Sequence, residues 1–233
     1  MTTPLHRDAY QISCDATVVA HADGGVILDQ SVFYPTGGGQ PGDNGVLRWE
    51  GTETTITTAI KGDAGAVIHV VAEGAALPPV GTGVTAEIDA TNRSGYRRIH
   101  TALHLLSVAI PLPVTGGSIS AAKGRLDFAM PEPPEDKEAL AAMVNDLITA
   151  DHMVTEEWIT DDELAANPDL VKTMSVKPPT GQGRVRLVRI GDIDLQPCGG
   201  THVRSTAEIG RVRIGKVEKK GKINRRVYLH LDE

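Results

Sequence analysis

Asp89-Ala-Thr-Asn-Arg-Ser-Gly-Tyr-Arg-Arg-Ile-His100-Thr-Ala-Leu-His104-Leu-Leu-Ser-Val-Ala-Ile110-Pro111 is the stretch in which the chain changes its period. Ile99, Leu103, Leu106 and Ile110 fall at i, i+4, i+7 and i+11, which is one face of an α-helix, and Pro111 stops the run. Asp89 or Thr91 is placed to cap it. Upstream the pattern is that of short strands broken by turns: Thr17 to His21, the turn Asp23-Gly-Gly25, then Val26 to Leu28, Gly45 to Trp49, Thr54 to Ala59, Val67 to Val71 and Val84 to Ile88. Closely spaced strands of this kind predict a small β-barrel over residues 1–90. The turn-rich Leu77-Pro-Pro-Val-Gly-Thr-Gly83 is either a hairpin loop or part of the link between domains.

Downstream, residues 91–233 read as an α+β domain with a mainly antiparallel sheet and packed helices. Leu140, Met143, Val144, Leu147 and Ile148 form one helical stripe, with Pro133-Pro134 and the acidic Glu135, Asp136 and Glu138 at the positive end of its dipole. Strands are expected at Arg125 to Phe128, Val154 to Ile159, Arg184 to Ile190, Val212 to Val217 and Arg226 to Leu231. A short helix opens on the capping-box pattern Thr160-x-x-Glu163. Val114-Thr-Gly-Gly-Ser118, between the first helix and the Arg125 strand, reads as a loop.

Net charge is −7, from 23 Lys/Arg against 30 Asp/Glu, which argues against a generic nucleic-acid binder. Its distribution matters more than its sum. Residues 131–170 hold twelve acidic side chains and one lysine, whereas residues 184–226 hold twelve basic and four acidic ones. A basic segment inside an acidic protein binds a polyanion locally while the rest repels it, although two solvated faces of opposite sign give the same pattern. Two cysteines, Cys14 and Cys198, are too few for a disulfide framework. With neither an apolar signal core at the N-terminus nor an uncharged membrane-length run, the expected location is the cytoplasm.

His100 and His104 lie four apart on the expected helix, so both imidazoles project from nearly one face and can share a metal ion. In the zincin protease pattern a general-base Glu follows the first His, and here that position is Thr101, which disfavours peptidase chemistry. Cys198-Gly-Gly-Thr-His202 offers a thiolate and a third imidazole on a glycine-containing turn. Together the two pairs make a plausible set for one Zn²⁺ per chain, assembled across a folded domain rather than in a zinc finger. A buried thiol beside hydrogen-bonded core histidines is the bland alternative.

His100-Thr-Ala-Leu-His104-Leu-Leu and Pro197-Cys-Gly-Gly-Thr-His-Val203 resemble the editing domain of alanyl-tRNA synthetase and of the free-standing AlaX proteins, and more distantly the editing domain of threonyl-tRNA synthetase. Phe33-Tyr-Pro-Thr-Gly-Gly-Gly-Gln-Pro-Gly-Asp43 looks like the glycine-rich segment of the longer AlaX forms. The resemblance implies a small barrel followed by a zinc-bearing editing domain. It also implies hydrolysis, in trans, of the ester in tRNA for alanine mischarged with serine or glycine. By the same resemblance Thr115 falls where the family reads the serine hydroxyl, and Gly37, Gly38, Gly39 and Gln40 lie close to the substrate.

The glycine segment lacks the Lys and Ser/Thr of a P-loop, so ATP is not implied. Arg97, Arg98, Lys123, Arg125, Arg225 and Arg226 are the candidates for phosphates of the tRNA acceptor end. A zinc-bound water is the expected reagent, with no protein general base assigned; zinc can equally polarise the ester carbonyl or grip the substrate amine. An editing hydrolase for another mischarged tRNA, and a zinc- or tRNA-binding module without catalysis, are the competing readings.

Overall fold

Alternation in the first part of the chain produces β1 (Thr3–Pro4), β2 (Ser13–Ala22), β3 (Gly25–Leu28), β4 (Gln30–Ser31), β5 (Gly45–Trp49), β6 (Thr52–Lys61), β7 (Val67–Val71) and β8 (Gly83–Ile88). Six of these close into an antiparallel barrel in the order β2-β3-β7-β6-β5-β8, filled by inward residues such as Val18, Val26, Leu28, Leu47, Ile56 and Ala86. The computed structural model describes residues 1–22, 24–172 and 183–232, and the chain divides into two units, Met1–Ser94 and Gly95–Glu233. Asp23, read as part of a turn, lies outside the described residues. Leu77 to Gly83 joins β7 to β8, which are not neighbours in the barrel, so the stretch is a crossover loop inside this unit rather than a hairpin or an interdomain link.

Two polar devices sit in the barrel unit without solvent. Arg93 and Asp43, 0% and 1% exposed, form an ion pair. Arg93 Nε donates to Asp43 Oδ1 at 3.1 Å, Nη2 to Asp43 Oδ2 and to Val32 O, and Nη1 to Ala9 O, while the Tyr34 N–H donates to Asp43 Oδ2. The second device is His69, fully buried on β7. Its Nδ1 lies 3.1 Å from Val26 O, which only accepts, so Nδ1 carries the proton and Nε2 accepts from the Ser31 hydroxyl at 2.7 Å.

Burial drives the His69 pKa down to about 4, against the opposing pull of the Val26 carbonyl. A base whose folded pKa lies below its unfolded value stabilises the fold fully above pH 6.5, and that contribution is lost as pH falls toward 4. The loss amounts to about 3 kcal/mol. Unfolding free energies measured by denaturant between pH 7 and 5 should therefore fall in the wild type. They should fall less steeply in His69→Gln, which is weaker at neutral pH but has no ring to charge.

The second unit is built from α1 (Ala90–Ala109), which begins in the first, then β9 (Val114–Ile119), β10 (Lys123–Ala129), α2 (Lys137–Thr149), β11 (Val154–Thr160), α3 (Asp161–Ala166), β12 (Arg184–Ile190), β13 (Asp194–Pro197), β14 (Val212–Lys219) and β15 (Asn224–Leu231). Asp89 caps α1, accepting from the Asn92 N–H at 2.9 Å. Four strands form an antiparallel sheet in the order β14-β15-β10-β9, and β11-β12-β13 form another. Ile99, Leu103 and Leu106 of α1, Val144 and Ile148 of α2, and Phe128, Val227 and Leu229 of the four-stranded sheet make one core. Gly124 on β10 permits this packing: a Cβ there would stand 2.6 Å from Ile99 Cγ2 and 2.9 Å from Leu103 Cδ1.

Three sequence expectations are corrected. Val114 to Ser118 is not a loop but most of edge strand β9; its Gly116-Gly117 pair hides the strand pattern, while the register Ser118↔Arg125 and Gly116↔Asp127 fixes it. Met143 is 52% exposed, so the buried stripe of α2 is narrower than the sequence pattern, with Leu140, Val144 and Ile148 inside. Arg225 is buried, its neighbour Arg226 lying on the opposite face of β15. The capping box at Thr160 and Glu163 forms in both directions. No helix among the described residues is long and apolar enough to cross a membrane.

Candidate metal centre

Helical spacing puts His100 and His104 on one face of α1, and the turn after β13 carries Cys198 and His202 to them. One donor atom from each of the four lies within 4.8 Å of every other. Cys198 Sγ is 3.2 Å from His202 Nε2 and 3.5 Å from His100 Nε2. A tetrahedral zinc with N and S ligands separates its donors by about 3.3 to 3.8 Å, so the cluster needs little rearrangement to hold one. The three histidines are 4 to 8% exposed, and Cys198 is half-buried.

The outer partners decide which ring nitrogen faces inward. His104 Nδ1 is 2.9 Å from Asp194 Oδ2, which directs its Nε2 into the cluster. Asp194 is buried, and receives Lys172 Nζ at 2.6 Å and Gln196 Nε2 at 2.9 Å. Gln196 Nε2 also reaches Ser107 Oγ, whose hydroxyl donates to His104 O. On the other side Thr101 Oγ1 donates to Arg97 O and sits 3.1 Å from His202 Nδ1, so it accepts from that ring and leaves Nε2 turned toward the thiol. Thr101 therefore stands where a protease would keep its glutamate and acts as the seat of the third histidine. Arg186 clamps the loop itself, with Nη1 donating to Cys198 O at 2.9 Å and Gly200 O at 2.8 Å and Nη2 paired with Glu156.

Electrostatics favour positive charge among these atoms. Burial works to raise the Cys198 pKa, yet the charges of His100 and His202 and the bonds from His100 and His104 hold the thiol well below its usual range. Burial and the His100 charge push His202 down to about 3. His104, despite burial, is pushed up to about 9 by Asp194 and Cys198. Asp194 is held below the usual carboxylate range by His104 and Lys172, against burial.

Asp194, Thr101, Arg186 and Lys172 were not singled out as site residues from the sequence. The available signal was modest: Asp194 and Gln196 alternate on β13 just before Cys198, so they share a face. Asp194→Asn preserves shape but presents an amide where a carboxylate accepted. Metal affinity should fall roughly 10- to 100-fold by competition with a chromophoric chelator, while far-UV circular dichroism stays unchanged.

The other sequence candidates divide. Thr115 lies on β9, with Oγ1 donating to Asp127 O at 3.1 Å. The Val114 N–H bonds to Lys172 O, and Lys172 in turn reaches Asp194. Gly37 and Gln40 of the barrel unit exchange their backbone N–H and C=O groups at 3.0 Å, so those two amides close their own turn, with Gly38 and Gly39 at its tip in left-handed conformations. Arg98 donates to Ile209 O, Arg125 and Arg226 both bond Asp127, Arg225 donates to Pro131 O, Lys123 is exposed, and Arg97 supplies the carbonyl that holds Thr101.

Residues 185–228 match the family model described as the threonyl and alanyl tRNA synthetase second additional domain, and residues 7–92 match that of class II (A) tRNA synthetases. The alanyl-tRNA editing protein AlaX-M of Saccharolobus solfataricus is 34% identical over 98% of both chains. That of Methanosarcina acetivorans is 35% identical over 88% of both. The alanine–tRNA ligase of Pyrobaculum neutrophilum is 34% identical over 92% of this chain, which spans 25% of that larger protein. Near end-to-end coverage of the free-standing proteins, together with two matched models of tRNA synthetase parts, means that the chain belongs to the AlaX family of alanyl-tRNA editing proteins.

Proposed function

We propose that this chain is a zinc-dependent aminoacyl-tRNA deacylase that acts in trans on tRNA for alanine mischarged with serine, and with glycine. The observation that carries the reading is the convergence of His100, His104, Cys198 and His202, with two rings turned inward by outer partners, in a member of an editing family. Three borderline nitrogens and one thiolate are donors that zinc favours. When bound, zinc supplies positive charge against which the ester carbonyl, the attacking water or the substrate amine is polarised.

The protein's own part is orientation and selection. Asp194 and Thr101 lock two imidazoles, and Arg186 fixes the loop that carries the thiolate. Selection against alanine requires a polar partner that only serine satisfies. The Thr115 hydroxyl proton is committed to Asp127 O, so toward a serine hydroxyl Thr115 acts as the acceptor.

The test is deacylation of serine-, glycine- and alanine-charged tRNA with metal content measured on the same sample. Release of serine and glycine, with alanine spared and about one zinc per chain, is the expected result. Failure to release any of the three would leave a binding module, and release from a different mischarged tRNA would change the substrate. Thr115→Val should lower kcat/KM for the serine ester several-fold to about a hundred-fold, with little effect on the alanine ester. Thr115→Ser, which keeps the acceptor, should behave like the wild type.

A further inference from the structure

We propose that the open face of the β14-β15-β10-β9 sheet seats the sugar-phosphate backbone of the tRNA. The proposal rests on the deacylase reading for the identity of the polyanion, and on the sheet itself for the place.

One face of this sheet is closed by the core described above; on the opposite face Lys123, Arg213 and Lys216 are exposed at the rim and Arg125, Asp127 and Arg226 are half-buried at the centre. Strand alternation and register assign that face its side chains: Lys123 and Arg125 of β10, Arg226 of β15, and Arg213 and Lys216 of β14. Against these five cations stand Asp127 and Glu218, with a third carboxylate, Asp232, pairing Arg213 and Arg211 at the edge. Among the paired positions of β10 and β15 the face carries the rings of Tyr228 and His230, and Ala129 is its one aliphatic side chain. A protein-binding surface would carry an aromatic or aliphatic centre. A cationic, flat, polar face suits RNA, whose duplex regions are recognised through phosphates and 2′-hydroxyls rather than through bases.

The arrangement is preorganised. Arg125 Nη1 bonds both Asp127 oxygens at 3.0 Å, and Arg226 bonds them through Nε at 2.7 Å and Nη2 at 2.8 Å. Two guanidinium groups thus share one carboxylate, leaving net positive charge on a pair whose geometry is fixed before any ligand arrives. Lys216 Nζ lies 5.4 Å from the Tyr228 ring centroid, a cation–π contact that holds the ammonium over the face. Side chains of Arg213 and Lys216 are 58% and 68% exposed, the first paired with Asp232 and the second with Glu218, so exposed cations ring the fixed centre. His230 registers the field: its pKa is lowered by burial and then by the charges of Arg213 and Lys123. The acidic 131–170 segment repels the same polyanion, so this face selects where it lands.

The experiment uses the full chain and the double variant Arg213→Gln/Lys216→Gln, with Lys137→Gln on α2 as the control. Fluorescence anisotropy with an uncharged tRNA(Ala) transcript is measured from 50 to 300 mM salt, alongside deacylation of the serine ester. The double variant should bind about ten-fold more weakly at low salt, and its plot of log affinity against log salt should be shallower by roughly 1.5, as expected for two lost phosphate contacts. Lys137→Gln should match the wild type in both. Equal affinity and slope in the double variant would overturn the proposal, whatever the deacylation result. A wild type that binds the transcript through this face but releases no amino acid would overturn the deacylase reading and leave the surface standing. Thermal melts within about 1 °C of wild type confirm that the exposed substitutions left the fold intact.

Discussion

Cys198→Ala is expected to strip the chain of metal and to take serine release below detection, without unfolding either unit. The thiolate is the only anionic donor in the set, and the divalent charge it offsets would otherwise face three neutral imidazoles in a site where the histidines are 4 to 8% exposed. Disturbing an outer partner costs about 10- to 100-fold in metal affinity; deletion of a ligand costs more than that. The fold should survive because α1 is held by Ile99, Leu103 and Leu106 against the four-stranded sheet, independently of the thiol. Elemental analysis, the deacylation assay and near-UV circular dichroism on one preparation check the three parts. Undiminished hydrolysis would refute the metal-centred reading, and loss of the near-UV spectrum would make the metal structural, with its binding energy part of the folding energy.

Arg93→Met should be the most destabilising single substitution in the barrel unit, at about 3 to 5 kcal/mol. It leaves the Asp43 carboxylate charged and buried beside the Tyr34 N–H, and removes the guanidinium donors to Val32 O and Ala9 O. For a domain whose total stability is of order 5 to 15 kcal/mol, that loss lowers the urea midpoint by a large fraction. Asp43→Asn should cost a similar amount by leaving the guanidinium unpaired. The double variant Asp43→Leu/Arg93→Met should recover part of the loss, since no charge remains buried, but not all of it, since Val32 O still lacks its guanidinium donor. Additive single losses in this double-mutant cycle would show that the pair is not coupled.

What was legible in the sequence was what local geometry determines. Two histidines four apart on a helix share a face in any tertiary context, and strands with period two were found wherever apolar residues alternated. The glycine pair of β9 removed that signal, and the strand passed for a loop. Charge alone groups Arg225 with Arg226; adjacent residues on a strand face opposite ways, and of the two Arg226 shares the face of Arg125 and Asp127. The outer partners of the metal cluster were beyond reach for a different reason. Asp194 meets His104 across 90 residues and Thr101 meets His202 across 101, contacts that exist only once both sheets and α1 are in place.

That separation sets a timetable. During synthesis the first helix histidine, His100, emerges from the ribosome 98 residues before Cys198, a delay of roughly 5 to 20 s at ordinary elongation rates. Through that interval the chain owns an imidazole pair but not the four-donor set. Closing so long a loop is slow compared with forming a helix. Assembly of the centre therefore waits on the synthesis of the Cys198–His202 turn, whatever the helix has already done.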